Sequence, residues 1–168
     1  KSKLFFKAAH FKYEEARDRV LSIFKRYGVE KSRILLVEHF DNLEAHYASF
    51  NAVDINLDTF PYNGTTTTCE ALYMGIPVIA LKGRSHRSRV SYSLLESTGI
   101  EELAAQNHDE YVKLAVELAK DQNRLKEYRK NIRNNFINSS VMDAESFTKE
   151  LEAAYKNMLT SEVINHSR

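Results

Sequence analysis

Two kinds of hydrophobic pattern alternate over the first hundred residues of the chain. Between residues 13 and 27, apolar side chains recur every three or four positions, which predicts a helix that Gly28 ends. The runs at 34–37 and 77–81 are apolar throughout, which predicts strands covered on both faces of a sheet. Strand and helix patterns that alternate in this way are typical of a parallel α/β sheet.

Shorter patterns complete the alternation. Asn42 is placed to cap a short helix, and glycines follow the later helical patterns where C-caps belong. The further predicted elements are strands at 2–11 and 54–60 and helices at 43–53, 66–74 and 88–97. Together they predict an α/β fold with a doubly wound parallel sheet, which binds ligands beyond the carboxyl ends of its strands.

The last third of the chain has a different pattern. The segments YVKLAVELAKD, RLKEYRKNIRNNF and ESFTKELEAAYKNML are each amphipathic at helical spacing. No strand pattern is evident after about residue 104, so we expect a helical extension at about 105–160. In the last segment, the apolar residues form a stripe made of Phe147, Leu151, Ala154, Tyr155 and Met158.

Composition and charge narrow the classes of function. The chain has 168 residues, 43% hydrophobic and 28% charged, as in ordinary globular domains. The net charge of +1 gives no bulk attraction to nucleic acid or to a membrane surface, and we expect neither as a partner. Cys69 is the single cysteine, which excludes an internal disulfide. With no membrane-spanning run and no signal-peptide pattern at its start, we expect a cytoplasmic protein whose chain continues upstream.

The stretch PYNGTTTTCEALYMG places a glycine and four threonines where a predicted strand passes into a helix. The first turn of a helix has unpaired N–H groups and the positive end of the helix dipole, so it can bind an anion. Gly64 allows close approach of the backbone, and the hydroxyls of Thr65, Thr66 and Thr67 add donors. Glu70 lies one turn after Thr66 on the same face, where a carboxylate can accept hydrogen bonds from ribose hydroxyls.

An ordinary capped helix is the alternative interpretation of this turn, because threonine and glycine are common before helices. The Walker pattern GxxxxGK[ST] and the GxGxxG fingerprint are both absent from the sequence. The turn alone therefore leaves phosphate binding open.

A longer stretch makes the hypothesis more specific. The segment LDTFPYNGTTTTCEALYMGIPVI resembles the nucleotide-sugar-binding region of the O-linked N-acetylglucosamine transferase family, which includes bacterial homologues linked to tetratricopeptide repeats and the plant SPINDLY proteins. The resemblance continues through SRVSYSLLESTGIEEL and NHDEYVKLAVELAKD, and covers about residues 30–160. It implies that 1–168 form a single Rossmann-like C-terminal lobe of a GT-B glycosyltransferase, whose N-terminal lobe and repeats lie outside this chain.

The resemblance implies roles for individual residues. Thr66 and Thr67 match threonines that hold the diphosphate, and Glu70 stands where a carboxylate binds the ribose. His46 matches a histidine that contacts the nucleoside. The lysine and histidine that the N-terminal lobe contributes have no counterpart here. We therefore assign no catalytic residue to this lobe and expect the chain by itself to be inactive.

Two departures from the family pattern leave the donor open. Where the animal enzymes have a histidine and a lysine, this chain has Thr65 and Leu43. The resemblance implies inverting transfer from UDP-N-acetylglucosamine to Ser or Thr of a protein acceptor, with no metal cofactor. The SPINDLY branch shares the four threonines and implies GDP-fucose, so a GDP-fucose-dependent O-fucosyltransferase lobe is one alternative. A non-catalytic interaction module with the same fold is another.

A basic loop, KGRSHRSRV, follows the strand at 77–81 at the same sheet edge as the threonine turn. His86 and Arg89 are therefore candidates for contact with phosphate or donor sugar, and a solvated basic loop is an equal alternative. Asp58 closes the strand before the turn, where aspartate often accepts hydrogen bonds from turn amides, so we expect it to be structural. Cys69 is expected to face the sheet together with Leu72 and Tyr73.

Overall fold

The structure is a computed structural model that describes residues 2–40 and 42–165, with side-chain environments up to residue 159. The chain forms two compact units, Lys1–Val53 and Asp54–Arg168. Each unit has its own sheet, with two strands in the first and three in the second, and all the strand pairs are parallel. The parallel pairing that the hydrophobic pattern predicts is therefore present in both units.

The first unit contains one βαβ motif followed by a short helix. Its two strands pair in parallel, as expected when a helix connects them. The side-chain oxygen of Asn42 accepts a hydrogen bond from the N–H of Ala45 at 2.8 Å, which confirms the predicted cap. In chain order the elements are β1 (Leu4–Lys7), a 3-10 turn (Ala9–Lys12), α1 (Glu14–Arg26), a 3-10 turn (Lys31–Arg33), β2 (Ile34–Val37), α2 (Leu43–Ala48) and a 3-10 turn (Ser49–Ala52).

Helix α1 packs on the two-stranded sheet. The rings of Phe6 on β1 and Phe24 on α1 have centroids 5.7 Å apart, and the Arg17 guanidinium donates a hydrogen bond to the carbonyl of Leu36 at 3.2 Å. The predicted strand at 2–11 is reduced to four residues, because the chain turns into a 3-10 helix after it and buries Phe11.

The second unit alternates strands and helices and then continues as helices. In chain order its elements are β3 (Asn56–Leu57), α3 (Thr66–Tyr73), β4 (Val78–Leu81), a 3-10 turn (His86–Ser88), α4 (Val90–Thr98), a 3-10 turn (Glu101–Leu103), β5 (Ala104–Ala105), α5 (His108–Lys120), α6 (Gln122–Ile137), a 3-10 turn (Ser140–Met142) and α7 (Ala144–Asn165).

Strand β4 is the centre of this unit. It pairs with β3 on one side and with β5 on the other. Val78, Ile79 and Ala80 are fully buried, and because successive side chains of a strand point to opposite faces, both faces of β4 are covered. Helices α3, α4 and α5 all pack against β4, and α6 packs on all three of these helices. The apolar run therefore forms the buried strand that its composition predicts.

Strand β5 corrects the expectation that no strand occurs after about residue 104. Ala80 pairs with Ala104 and Leu81 with Ala105, and the N–H of Lys82 donates to the carbonyl of Ala105 at 2.9 Å. Two alanines have neither the alternation nor the β-branched side chains by which a strand is recognised in sequence. Their strand conformation is set by pairing with β4.

The three amphipathic patterns of the last third each form a helix. Helices α5 and α6 bury their apolar residues in the second unit, among them Leu118 and Ile132. The predicted stripe on α7 is exposed instead: Phe147 is 63% exposed, Tyr155 58% and Met158 61%. Among the described residues, no helix combines the length and apolar character needed to cross a bilayer.

Candidate functional site

The four threonines begin helix α3 at the carboxyl end of strand β3. Thr65 precedes the helix, and Thr66 is its first residue. Thr65, Thr66 and Thr67 are exposed, whereas Thr68 is fully buried. The sequence therefore places three hydroxyls at the surface of the turn and one beneath it.

The amino terminus of α3 is left open. No side chain accepts a hydrogen bond at its cap position, and the N–H of Cys69 is the first to bond back, to the carbonyl of Thr65 at 3.0 Å. Asn107 and Asp121 cap the helices that follow them, whereas α1 and α4, like α3, begin without a side-chain cap. The first-turn amides of α3, at the positive end of the helix dipole, are therefore available to an anion at an exposed surface.

Gly64 is required by close packing. A Cβ atom at this position would lie 2.4 Å from the Thr67 hydroxyl oxygen, 2.9 Å from that of Thr68 and 3.2 Å from Asp58 Oδ1. These separations are shorter than contacts of a methyl group allow, so a side chain at Gly64 would displace the turn or its supports. The structure thus gives an internal packing reason for this glycine, and its predicted role in close approach to a ligand stays a prediction.

A buried polar cluster supports the turn from the core. The N–H of Gly64 donates to Asp58 Oδ1 at 2.8 Å. The carbonyl of Gly64 accepts from the hydroxyls of Thr68 and Ser91, each at 3.0 Å, and these two hydroxyl oxygens are 3.1 Å apart. Sequence reasoning missed Thr68 and Ser91 as supports, since Ser91 comes from a different helix, 27 residues after Gly64.

Asp58 is a structural residue, as expected from its position before a turn. It is 6% exposed. Burial raises the pKa of its carboxyl, and the hydrogen bond from the Gly64 amide acts in the opposite direction. Its own carbonyl accepts a hydrogen bond from the Tyr111 hydroxyl at 2.8 Å. Burial, followed by the nearby Asp58 charge, raises the pKa of Tyr111 to about 12, so Tyr111 is a neutral donor at physiological pH.

The basic loop lies beside the threonine turn, as the sequence predicts. The N–H of Asn63 donates to the carbonyl of Arg87 at 2.9 Å, which joins the two loops through their backbones. Ser85 and Ser88 form a capping box that holds the basic loop in shape. His86 and Arg89, on either side of Arg87, are exposed. Both side chains therefore belong to a loop that is hydrogen-bonded to the threonine turn through Arg87.

Lys82 is placed differently from the rest of the basic loop. Its Nζ atom lies 3.4 Å from the centroid of the Tyr92 ring, which is a cation–π contact. Its charge is therefore already engaged with α4, and we do not include it among the candidate anion contacts.

Helix α3 was predicted to have Glu70 on the same face as Thr66 and to have Cys69, Leu72 and Tyr73 facing the sheet, and the structure agrees with this in part. Glu70 is half-buried, one turn after Thr66, and Leu72 is fully buried. Tyr73 was expected to face the sheet, but it is exposed, and Arg133 lies over its ring at 4.5 Å. Cys69 is half-buried, and its burial raises the pKa of the thiol, so a reactive thiolate is disfavoured there.

His46 belongs to the first unit, on helix α2. Its Nδ1 atom is hydrogen-bonded to the Lys7 ammonium group. Its ring contacts those of Tyr47 and Phe50 edge-on, with centroids 5.1 and 5.6 Å away. Leu43, at the start of the same helix, is exposed.

Metal-binding side chains are not grouped in the part of the chain that the structure describes. No cluster of three or more His, Cys, Asp or Glu residues with suitable geometry occurs there. The candidate site of the second unit is thus made of backbone amides, hydroxyls, one carboxylate and basic side chains.

The fold and this site together define a class of protein. A helix amino terminus rich in hydroxyls, at the carboxyl end of a parallel strand, is typical of nucleotide-binding lobes. A Thermobaculum terrenum O-GlcNAc transferase mutant has a solved structure that matches this chain with a TM-score of 0.86 and 34% identity, over 93% of this chain and 30% of that one. The chain has the fold of one lobe of a GT-B glycosyltransferase.

The sequence comparisons identify the family. The family model described as glycosyl transferase family 41 matches residues 10–151. Proteins described as probable UDP-N-acetylglucosamine–peptide N-acetylglucosaminyltransferase SPINDLY from Hordeum vulgare and Petunia hybrida are 43% and 41% identical over 157 residues, 94% of this chain. The chain belongs to glycosyl transferase family 41, which confirms the resemblance found in the sequence. It spans 17% of the length of these two relatives.

Proposed function

We propose that this chain is the donor-binding C-terminal lobe of a protein O-glycosyltransferase. The donor is UDP-N-acetylglucosamine, and the sugar is transferred with inversion to a Ser or Thr hydroxyl of a protein or peptide. The names of the SPINDLY relatives, at 43% and 41% identity, support this donor and this acceptor class. Because the chain spans a small part of those relatives, transfer requires the rest of the polypeptide, including its N-terminal lobe.

The observation that carries this proposal is the open amino terminus of α3. Its first-turn amides are uncapped, and the hydroxyls beside them are exposed. We propose that the diphosphate accepts hydrogen bonds there from Thr65, Thr66 and Thr67, with Gly64 allowing close approach. Charge that develops on the departing diphosphate is then stabilised by fixed dipoles. Glu70, one turn along the same face, accepts hydrogen bonds from the ribose.

Three further residues are proposed as ligand contacts. His86 and Arg89 contact phosphate or donor sugar, which is supported by the backbone link between their loop and the threonine turn. The resemblance to the family supports contact between His46 and the nucleoside. No residue of this chain is proposed to be catalytic, no metal is proposed to take part, and we propose that the protein acts in the cytoplasm.

Calorimetric titration of the chain with UDP and with GDP tests the proposal. We expect UDP to bind, and Thr66→Ala and Glu70→Ala each to weaken binding by about tenfold or more, because a hydrogen bond to a charged group contributes about 1.5–3 kcal/mol. Thr148→Ala and Glu117→Ala are matched controls, since both residues are exposed on other helices, and both should bind UDP as the unaltered chain does.

The same titration can contradict the proposal in two ways. If neither nucleotide binds, the site assignment is wrong and the fold serves an interaction module. If GDP binds and UDP does not, the lobe is that of a GDP-sugar enzyme, and fucose becomes the sugar to assay.

A further inference from the structure

We propose that Asp58, Thr68 and Ser91 are positioning residues that hold the Gly64 peptide in the orientation that directs the first-turn amides of α3 toward the diphosphate. This inference rests on the proposed function, because it names the residues that shape the same site from beneath. None of the three side chains is expected to touch the nucleotide, since all three are buried.

Both polar backbone groups of Gly64 are held by hydrogen bonds. Its N–H is bonded to Asp58 Oδ1 at 2.8 Å, and its carbonyl accepts from Thr68 and Ser91 at 3.0 Å each. Fixing both polar groups of one residue fixes the planes of the adjoining peptides. Those planes determine the direction in which the chain enters α3 two residues later.

Asp58, one of the anchors of Gly64, is itself hydrogen-bonded to two neighbouring elements. Asp58 is fixed to β4 through its N–H, which donates to the Ile79 carbonyl at 2.9 Å. It is fixed to α5 through its carbonyl, which accepts from Tyr111. Ser91, another anchor, lies on α4, and both α4 and α5 pack against β4. Hydrogen bonds in such a buried setting are stronger than in water.

The hydroxyl groups of Thr68 and Ser91 have few protons to donate. Thr68 and Ser91 each have a single hydroxyl proton, and both protons are used when the Gly64 carbonyl accepts two hydrogen bonds. The contact between the two hydroxyl oxygens then contributes no third hydrogen bond. Removing either hydroxyl therefore leaves the carbonyl with one anchor, and removing both leaves it with none.

The test compares three threonine variants by UDP calorimetry and thermal unfolding. Thr68→Val removes the hydroxyl and keeps the shape, whereas Thr68→Ser keeps the hydroxyl. Thr98→Val is the matched control, because Thr98 is also a buried helix threonine but bonds to the carbonyl of Leu94, away from the turn. We expect Thr68→Val to weaken UDP binding about tenfold, and Thr98→Val to lower Tm without changing affinity. Thr68→Ser should restore binding.

Ser91→Ala removes the other hydroxyl that bonds to the Gly64 carbonyl. It tests the same positioning role if Thr68→Val does not fold. It should weaken UDP binding while the fold is retained. Unchanged affinity in folded Thr68→Val or Ser91→Ala would overturn the positioning role. If Thr66→Ala still lost binding in that case, the proposed site would stand. If the unaltered chain bound neither UDP nor GDP, the proposed function itself would fall, and this inference with it.

Discussion

The four threonines at positions 65 to 68 lie in two different environments, the solvent-exposed surface and the protein core. Thr65, Thr66 and Thr67 are exposed, and Thr68 is buried together with Ala71 and Leu72 on the inner face of α3. Successive helix residues point about 100° apart, so a run of one residue type is distributed between surface and core. The same hydroxyl group is therefore a candidate ligand donor at one position and an internal anchor at another.

Gly64→Ala tests the close packing at the residue scale. The added Cβ would meet the Thr67 and Thr68 hydroxyl oxygens at 2.4 and 2.9 Å. The exposed Thr67 side chain can rotate away, but the buried Thr68 hydroxyl cannot without losing its hydrogen bond. We expect a loss of about 1–3 kcal/mol in the free energy of unfolding, as for other overpacked sites, and loss of UDP binding. Urea unfolding and calorimetry measure the two effects.

Gly99→Ala is the control for that variant. Gly99 has a positive φ of 73°, and no atom lies within 4 Å of the position its Cβ would occupy. Alanine there costs about 1–2 kcal/mol through backbone strain, with no contact to the turn. UDP affinity should be unchanged in Gly99→Ala. Retention of UDP binding by Gly64→Ala would contradict the packing argument.

At the scale of elements, the helices differ in whether a side chain caps their amino termini. The side chains of Asn42, Asn107 and Asp121 cap α2, α5 and α6, respectively. Helices α1, α3 and α4 begin without such a side-chain cap. Thr65 has a residue type that often caps helices, yet its side chain makes no capping bond to α3. An uncapped helix end gives up stability that a cap would supply. A bound anion would satisfy the same amides, which is the physical link between this element and the proposed function.

Thr65→Ala and Asn107→Ala test this difference between helices. Because the Thr65 side chain makes no capping bond, its removal should cost less than about 0.5 kcal/mol of unfolding free energy in the absence of nucleotide. Removal of the Asn107 cap should cost about 1 kcal/mol. Urea unfolding of the two variants compares them directly. An equal loss in both would show that Thr65 caps α3 in solution.

At the scale of the whole molecule, this chain matches a limited part of longer proteins. It covers 30% of the matched O-GlcNAc transferase structure and 17% of its two plant relatives. The candidate site provides amides, hydroxyls and a carboxylate for a donor, and we assign it no acid, base or nucleophile. Under the proposed function, we therefore expect transfer to need residues from beyond this chain.

The role of metal can be tested only in the full-length protein. We expect it to transfer N-acetylglucosamine from UDP-N-acetylglucosamine to a Ser- or Thr-containing peptide equally well with and without a chelator. The physical reason is that a helix amino terminus and hydroxyls stabilise the leaving diphosphate in place of a cation. Radiolabel transfer to peptide measures the rate. If a chelator abolished transfer and Mg²⁺ restored it, the proposed mechanism would be wrong.

The sequence by itself determined the features that depend on neighbours along the chain. Periodicity located the helices, and the apolar run at 77–81 located the buried strand β4. The Asn42 cap and the role of Asp58 before a turn were also predictable, because capping and turn chemistry act over a few residues. The length of the motif around the threonines was enough to indicate the family.

Only the tertiary structure decided the features that depend on residues far apart in sequence. Ser91 reaches Gly64 across 27 residues, and Tyr111 reaches Asp58 across 53. Strand β5 exists because β4 offers it hydrogen bonds, and Tyr73 is exposed beneath Arg133 of another helix. The periodicity of a sequence shows which face of a helix or strand is apolar. It does not show which elements pack together in the fold, and that packing sets the long-range contacts.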